Sequence, residues 1–67
     1  MPQKEVYTEI LKLDPLNIDG LNSLAQCIKA STTTGVFDLV LPLYQKALSV
    51  DPEDFETNFN IGVLYYE

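Results

Sequence analysis

Two stretches of this chain end in the same way, thirty-seven residues apart. The first is Tyr7-Thr8-Glu9-Ile10-Leu11-Lys12-Leu13-Asp14-Pro15; the second is Tyr44-Gln45-Lys46-Ala47-Leu48-Ser49-Val50-Asp51-Pro52. Tyr7 answers to Tyr44, Ile10 to Ala47, Leu11 to Leu48, Leu13 to Val50, and Asp14-Pro15 to Asp51-Pro52. Each stretch reads as the last two turns of an amphipathic helix followed by a stop. Proline pushes the residue before it out of the α region, and its ring cannot continue the helix. A fixed offset carrying a helix end marks repeated helical units, which bury their apolar faces by stacking on one another. The feature points to an all-α array and, through it, to a binding surface. It does not say what is bound.

The remaining residues fit four helices. Pro2 suits a first helical turn, and Val6, Tyr7, Ile10, Leu11 and Leu13 follow at helical spacing. Lys4, Glu5, Thr8, Glu9 and Lys12 take the other face. Asn17 or Asp19 can cap a second helix carrying Ile18, Leu21, Leu24, Ala25 and Ile28. It fades at Ala30-Ser31 into the polar turn Ser31-Thr32-Thr33-Thr34-Gly35. A third helix starts near Val36 or Phe37 and presents Phe37, Val40, Leu41, Tyr44, Ala47 and Leu48. Pro42 is its misfit, and with Asp38 as the N-cap it predicts a late start or a kink. Asp54 can cap a fourth helix holding Phe55, Phe59, Ile61, Val63, Leu64, Tyr65 and Tyr66. That helix is apolar nearly all round, so further chain or another subunit is expected to cover it. The aromatics Phe37, Tyr44, Phe59 and Tyr65 lie at core spacing.

Composition removes several function classes. At 67 residues the chain is one small domain or a piece of a larger one, and small domains bury little surface. Ten acidic residues face four lysines and no arginine, so the basic stripe that neutralises nucleic-acid phosphates is missing. An anionic membrane surface is disfavoured for the same reason. The longest apolar run, residues 36–44, is broken by Asp38 and Pro42 and is too short to span a bilayer. Cys27 is the single cysteine and histidine is absent, which argues against a disulfide, a zinc site or a thiol nucleophile. The acidic residues at 51, 53, 54 and 56 lack calcium-loop spacing and read as helix stop, cap and solvated charge. No metal, cofactor or catalytic site is expected. No leader is visible before Val6, so the expected setting is cytoplasmic and reducing, unless a targeting signal lies outside this segment.

Residues 18–54 resemble one tetratricopeptide repeat. The helix A places of that family's pattern are held by Leu21, Leu24, Ala25 and Ile28. The helix B places are held by Gly35, Phe37, Val40, Tyr44, Ala47 and Pro52. Small Ala25 and Ala47 let the helices approach, and Leu24, Ile28, Tyr44 and Leu48 fill the space between them. The unit is thirty-seven residues long where the family's is about 34, and the extra residues fit in the threonine turn. Val40 and Pro42 depart from the pattern. Residues 1–15 resemble helix B of a preceding repeat. Residues 55–67 resemble helix A of a following one, with Ile61, Gly62 and Tyr65 in place and Asn58 atypical. The resemblance implies an α-α superhelix: a right-handed solenoid of antiparallel helix pairs.

It also implies a groove, lined by the A helices, that holds a peptide or helix of a protein partner. The groove positions would be Asp19, Asn22, Gln26 and Lys29 on the second helix. On the fourth they would be Glu56, Phe59, Val63 and Tyr66. Asn22 and Gln26 could hydrogen-bond an extended backbone, and Phe59 and Tyr66 could supply apolar anchors. The competing reading makes Asn22, Gln26 and Lys29 a merely solvated face. Asn60 resembles one asparagine of the carboxylate clamp found in some co-chaperones of this family. The clamp itself is not expected, since Val63 stands where a basic residue would be wanted and Lys29 is the only groove lysine. The expectation is therefore a scaffold or adaptor without chemistry. Alternatives are a non-catalytic segment of a larger enzyme or co-chaperone, and a module that self-associates through its terminal helices.

Overall fold

A computed structural model describes residues 3–32 and 34–66. Pro2, Thr33 and the face assigned to the Lys4 side chain lie outside the described residues. Four helices follow one another: α1 (Gln3–Leu13), α2 (Ile18–Ser31), α3 (Val36–Val50) and α4 (Phe55–Tyr66). No strand occurs among the described residues.

The thirty-seven-residue offset is visible in the backbone. Helix α1 ends at Leu13 and α3 at Val50, while α2 begins at Ile18 and α4 at Phe55. The joints match in detail. Asn17 N–H donates to the Asp14 carbonyl at 3.1 Å, and Asp54 N–H donates to the Asp51 carbonyl at 3.1 Å. Asn17 then caps α2, its Oδ1 accepting from Gly20 N–H at 2.7 Å. Asp54 caps α4, its Oδ2 accepting from Thr57 N–H at 2.9 Å. Each cap satisfies an otherwise orphaned donor, and the Asn17 cap contributes about 1 kcal/mol.

The third helix corrects one expectation. It starts at Val36, as the spacing predicts, and not late behind an Asp38 N-cap, because Gly35 is the N-cap and adopts φ 69, a left-handed backbone that only glycine accepts cheaply. Pro42 lies inside the helix but on its exposed side. Water can therefore satisfy the carbonyl that proline leaves without a donor.

Helix α2 is the centre of the packing. It contacts α1, α3 and α4, whereas α1 contacts α2 alone. Ala25, Val40, Tyr44 and Leu64 form the buried cluster, with Ile28, Val36, Leu41, Leu43 and Ile61 packed around it. Ala47 and Leu21 are also buried. Each fully buried large side chain contributes about 1.5–3 kcal/mol relative to exposure. Helix α1 closes on α2 at Gly20. A methyl group there would sit 3.2 Å from Leu11 Cδ2 and 3.3 Å from Ile10 Cγ2. Of the four aromatics at core spacing, only Tyr44 is buried. Phe37, Phe59 and Tyr65 are 41%, 60% and 62% exposed.

Candidate functional site

An open cavity of about 220 Å³ lies over α2 between α1 and α4, lined by Tyr7, Ser23, Gln26, Cys27, Ala30 and Glu56. Four of these come from one stripe of α2, since positions three and four apart share a helix face. The cavity opens because α1 and α4 both pack on α2 but not on each other. Its walls carry two hydroxyls, one amide, one thiol and one carboxylate. Gln26 is fixed by a 3.2 Å hydrogen bond from its Nε2 to the Tyr44 hydroxyl, leaving its Oε1 to accept from a ligand. The Glu56 carboxylate is exposed.

The expected groove residues separate into three groups. Gln26 and Glu56 line the cavity, Lys29 is half-buried one turn beyond Gln26, and Asp19 is exposed at the start of α2. Phe59, half-buried Val63 and Tyr66 lie on α4 outside the cavity lining. Phe59 stacks on Phe55 with ring centroids 6.2 Å apart, and Tyr66 is 93% exposed. Asn22 is neither a groove donor nor a solvated residue. It is 1% exposed and fully engaged inside the protein. Its Nδ2 donates to the Ile18 carbonyl at 3.0 Å and to Thr57 Oγ1 at 2.7 Å. Its Oδ1 accepts from Asn60 Nδ2 at 2.9 Å.

These bonds form a directed polar ladder joining α2 to α4. The Thr57 hydroxyl accepts from Asn22 and donates onward to Asp54 Oδ2 at 2.6 Å. Asn22, Thr57 and Asn60 are all buried, and no buried side-chain nitrogen or oxygen among the described residues lacks a partner. Asp54 lies at the open end of the ladder. Its carboxyl is held below the usual carboxylate value, first by the Thr57 hydroxyl and then by the Thr57 N–H. Burying satisfied polar groups fixes the register of two helices, because a slip would leave each group unpaired at a cost of about 1–3 kcal/mol.

Sequence periodicity missed Asn22 because it assigns asparagine to a polar face. The available signal was on α4, where Thr57 and Asn60 stand three residues apart on one face and need buried partners. Tyr7, Ser23, Cys27 and Ala30 were also missed as cavity residues, because none of them stands at an expected groove position. Among the described residues no group of three His, Cys, Asp or Glu is placed to hold a metal ion. No described helix is long and apolar enough to cross a membrane. Comparison with family models, curated proteins and solved structures finds no match to this chain.

Proposed function

We propose that the chain is a tetratricopeptide-like segment that works as a protein-interaction module, a scaffold or adaptor that docks a peptide or helix of a protein partner without chemistry. The observation that carries this reading is the open cavity over α2, flanked by α1 and α4 and lined by Tyr7, Ser23, Gln26, Cys27, Ala30 and Glu56. Contact between α2 and α4, the two A-type helices by sequence resemblance, supports it. So does the exact repetition of the capped joints at thirty-seven residues. A cavity with spare acceptors and an apolar floor suits a docked segment, whose main chain and side chains need both. Gln26 and Lys29 are the polar contacts on α2, and Asn22 serves the reading indirectly by holding α4 beside α2.

A library of random peptides selected on the immobilised chain tests the reading, with binders mapped by amide chemical-shift changes. The expected result is shifts at Ser23, Gln26, Cys27 and Ala30, and loss of binding in Ala30→Arg. Ala30 is exposed, so the substitution fills the cavity without disturbing the core. Binders that shift only the outer face of α3 and are indifferent to Ala30→Arg would count against the reading.

A further inference from the structure

The chain contains its own template for what fills the cavity. The α2 positions Ile18, Asn22, Ala25 and Lys29 form a stripe at helical spacing, and every one is at least half covered. Thirty-seven residues on, the same stripe of α4 is Phe55, Phe59, Gly62 and Tyr66, and every one is exposed. Phe55, Phe59 and Tyr66 are 82%, 60% and 93% exposed. The α2 helix is received by Tyr44 of α3 and by Asn60 of α4, through the bonds to Gln26 and Asn22. Both are buried, as is Leu64 beside them. Thirty-seven residues earlier those three positions are Tyr7, Ser23 and Cys27, which line the open cavity. One end of the molecule therefore carries an uncovered copy of the docked helix. The other end carries an unfilled copy of its seat.

We infer that the cavity is the seat for α4 of a second copy of this chain, and that copies associate head to tail. The occupant is set by continuity with the packing of α2 on α3 and α4. The seat repeats the positions that receive α2, with tyrosine kept at one of the three, and among the described helices the matching stripe is carried by α4. Helix α1 agrees. Its exposed Val6 and Ile10 correspond to half-buried Leu43 and buried Ala47, which are covered where α3 meets its neighbours. Gly62 sits between Phe59 and Tyr66 with open space around it, as Ala25 sits between Asn22 and Lys29, so the backbones can approach closely. Contact between two different surfaces leaves a free stripe and a free seat on every pair, so association continues beyond a dimer, to a filament or, where the rotation closes, to a ring. The inference rests on the docking reading above and names its partner.

Sedimentation equilibrium of the full chain over a wide concentration range tests it, with circular dichroism on the same samples. The wild type is expected to form helical oligomers beyond a dimer, as an open-ended series or a closed ring. Phe59→Glu removes the docking stripe and Ala30→Arg blocks the seat. Each alone is expected to be a helical monomer, with association weakened about tenfold or more. An equimolar mixture of the two retains one intact stripe and one intact seat, and is expected to stop at a one-to-one dimer. Tyr66→Glu, at a position almost wholly exposed, repeats the stripe test should Phe59→Glu lose helicity. A wild type that stays monomeric, a dimer that stops at two, or a mixture that fails to pair would overturn the inference. Library peptides that still shift Ser23, Gln26 and Ala30 in a monomeric wild type would leave the docking reading standing and sink only the self-association.

Discussion

Helices α2 and α4 occupy the same slot of a repeated unit, yet one is the most enclosed helix of the chain and the other among the least. Leu21 and Ala25 are buried in α2, while their counterparts Asn58 and Gly62 in α4 are exposed. Asn22 is 1% exposed and its counterpart Phe59 is 60% exposed. The polar residue is inside and the aromatic outside, the reverse of what hydrophobicity alone would choose. Burial here follows the neighbours that a slot has, not the residue that fills it: α2 has helices on three sides and α4 does not. Asn22 tolerates enclosure because Thr57, Asn60 and the Ile18 carbonyl satisfy all three of its polar contacts. Phe59 stacks on Phe55 and stays 60% exposed.

The two α-hairpin joints show the same rule in the size of side chains. Ile10 faces Gly20 at the first joint. At the matching positions of the second joint stand Ala47 and Thr57, both fully buried. A large residue opposite none at all has become a small residue opposite a medium one. Volume is roughly conserved across the joint, as close-packed interiors require.

Substitutions at matched positions can break this comparison, measured by urea unfolding of dilute chain. Tyr44→Ala empties a fully buried site and is expected to cost about 3–5 kcal/mol. Tyr7→Ala, at the half-buried counterpart, is expected to cost about 1–3 kcal/mol. Equal losses would mean that α1 is as enclosed as α3. Next in size, Asn22→Ala orphans Thr57 and Asn60 groups and is expected to cost about 1–3 kcal/mol. Phe59→Ala is expected to change monomer stability by less than about 0.5 kcal/mol. The reverse order would contradict the polar ladder. Gly20→Val drives a branched side chain into Ile10 and Leu11, with an expected loss of about 1–3 kcal/mol. Gly62→Ala meets nothing and is expected to gain about 0.5–1 kcal/mol from helix propensity.

The smallest expected effect separates the two caps by pH. Asp54 has a folded-state pKa below its ordinary value, so the unfolded chain binds its proton more readily. The stabilisation is present above the usual aspartate pKa, near 3.9, and is lost as pH falls through the lower folded value. Asn17 does not titrate. Amide protection, taken relative to the intrinsic exchange rate at each pH, is therefore expected to fall at the start of α4 before the start of α2 as the solution is acidified below about pH 4. Asp54→Asn should abolish the difference, and an unchanged pH response in that variant would refute the assignment.

Much of this architecture could be read from the chain. Asp14-Pro15 and Asp51-Pro52 end helices where proline demands it, and the caps at Asn17 and Asp54 follow from their side-chain chemistry. Leu21, Ala25, Tyr44 and Ala47 are core residues by helical spacing, and all four are buried. What stayed hidden depends on contacts between distant residues. Asn22 meets partners 35 and 38 residues away, and no local pattern can pair them. Pro42 was misjudged because tolerance of proline depends on which side of α3 faces water. At the site, Gln26 and Glu56 were legible as polar groove residues. Ser23, Cys27 and Ala30 were not, because a cavity is made by what fails to cover a helix.

The most direct measurement is amide hydrogen exchange of the wild-type chain, residue by residue, at low and high protein concentration. If α4 is an unseated copy of α2, protection across residues 59–66 rises with concentration, while protection across residues 22–28 is already high in dilute solution and changes little. Equal protection of the two helices at every concentration would mean that α4 has no empty seat to find, and would contradict the account.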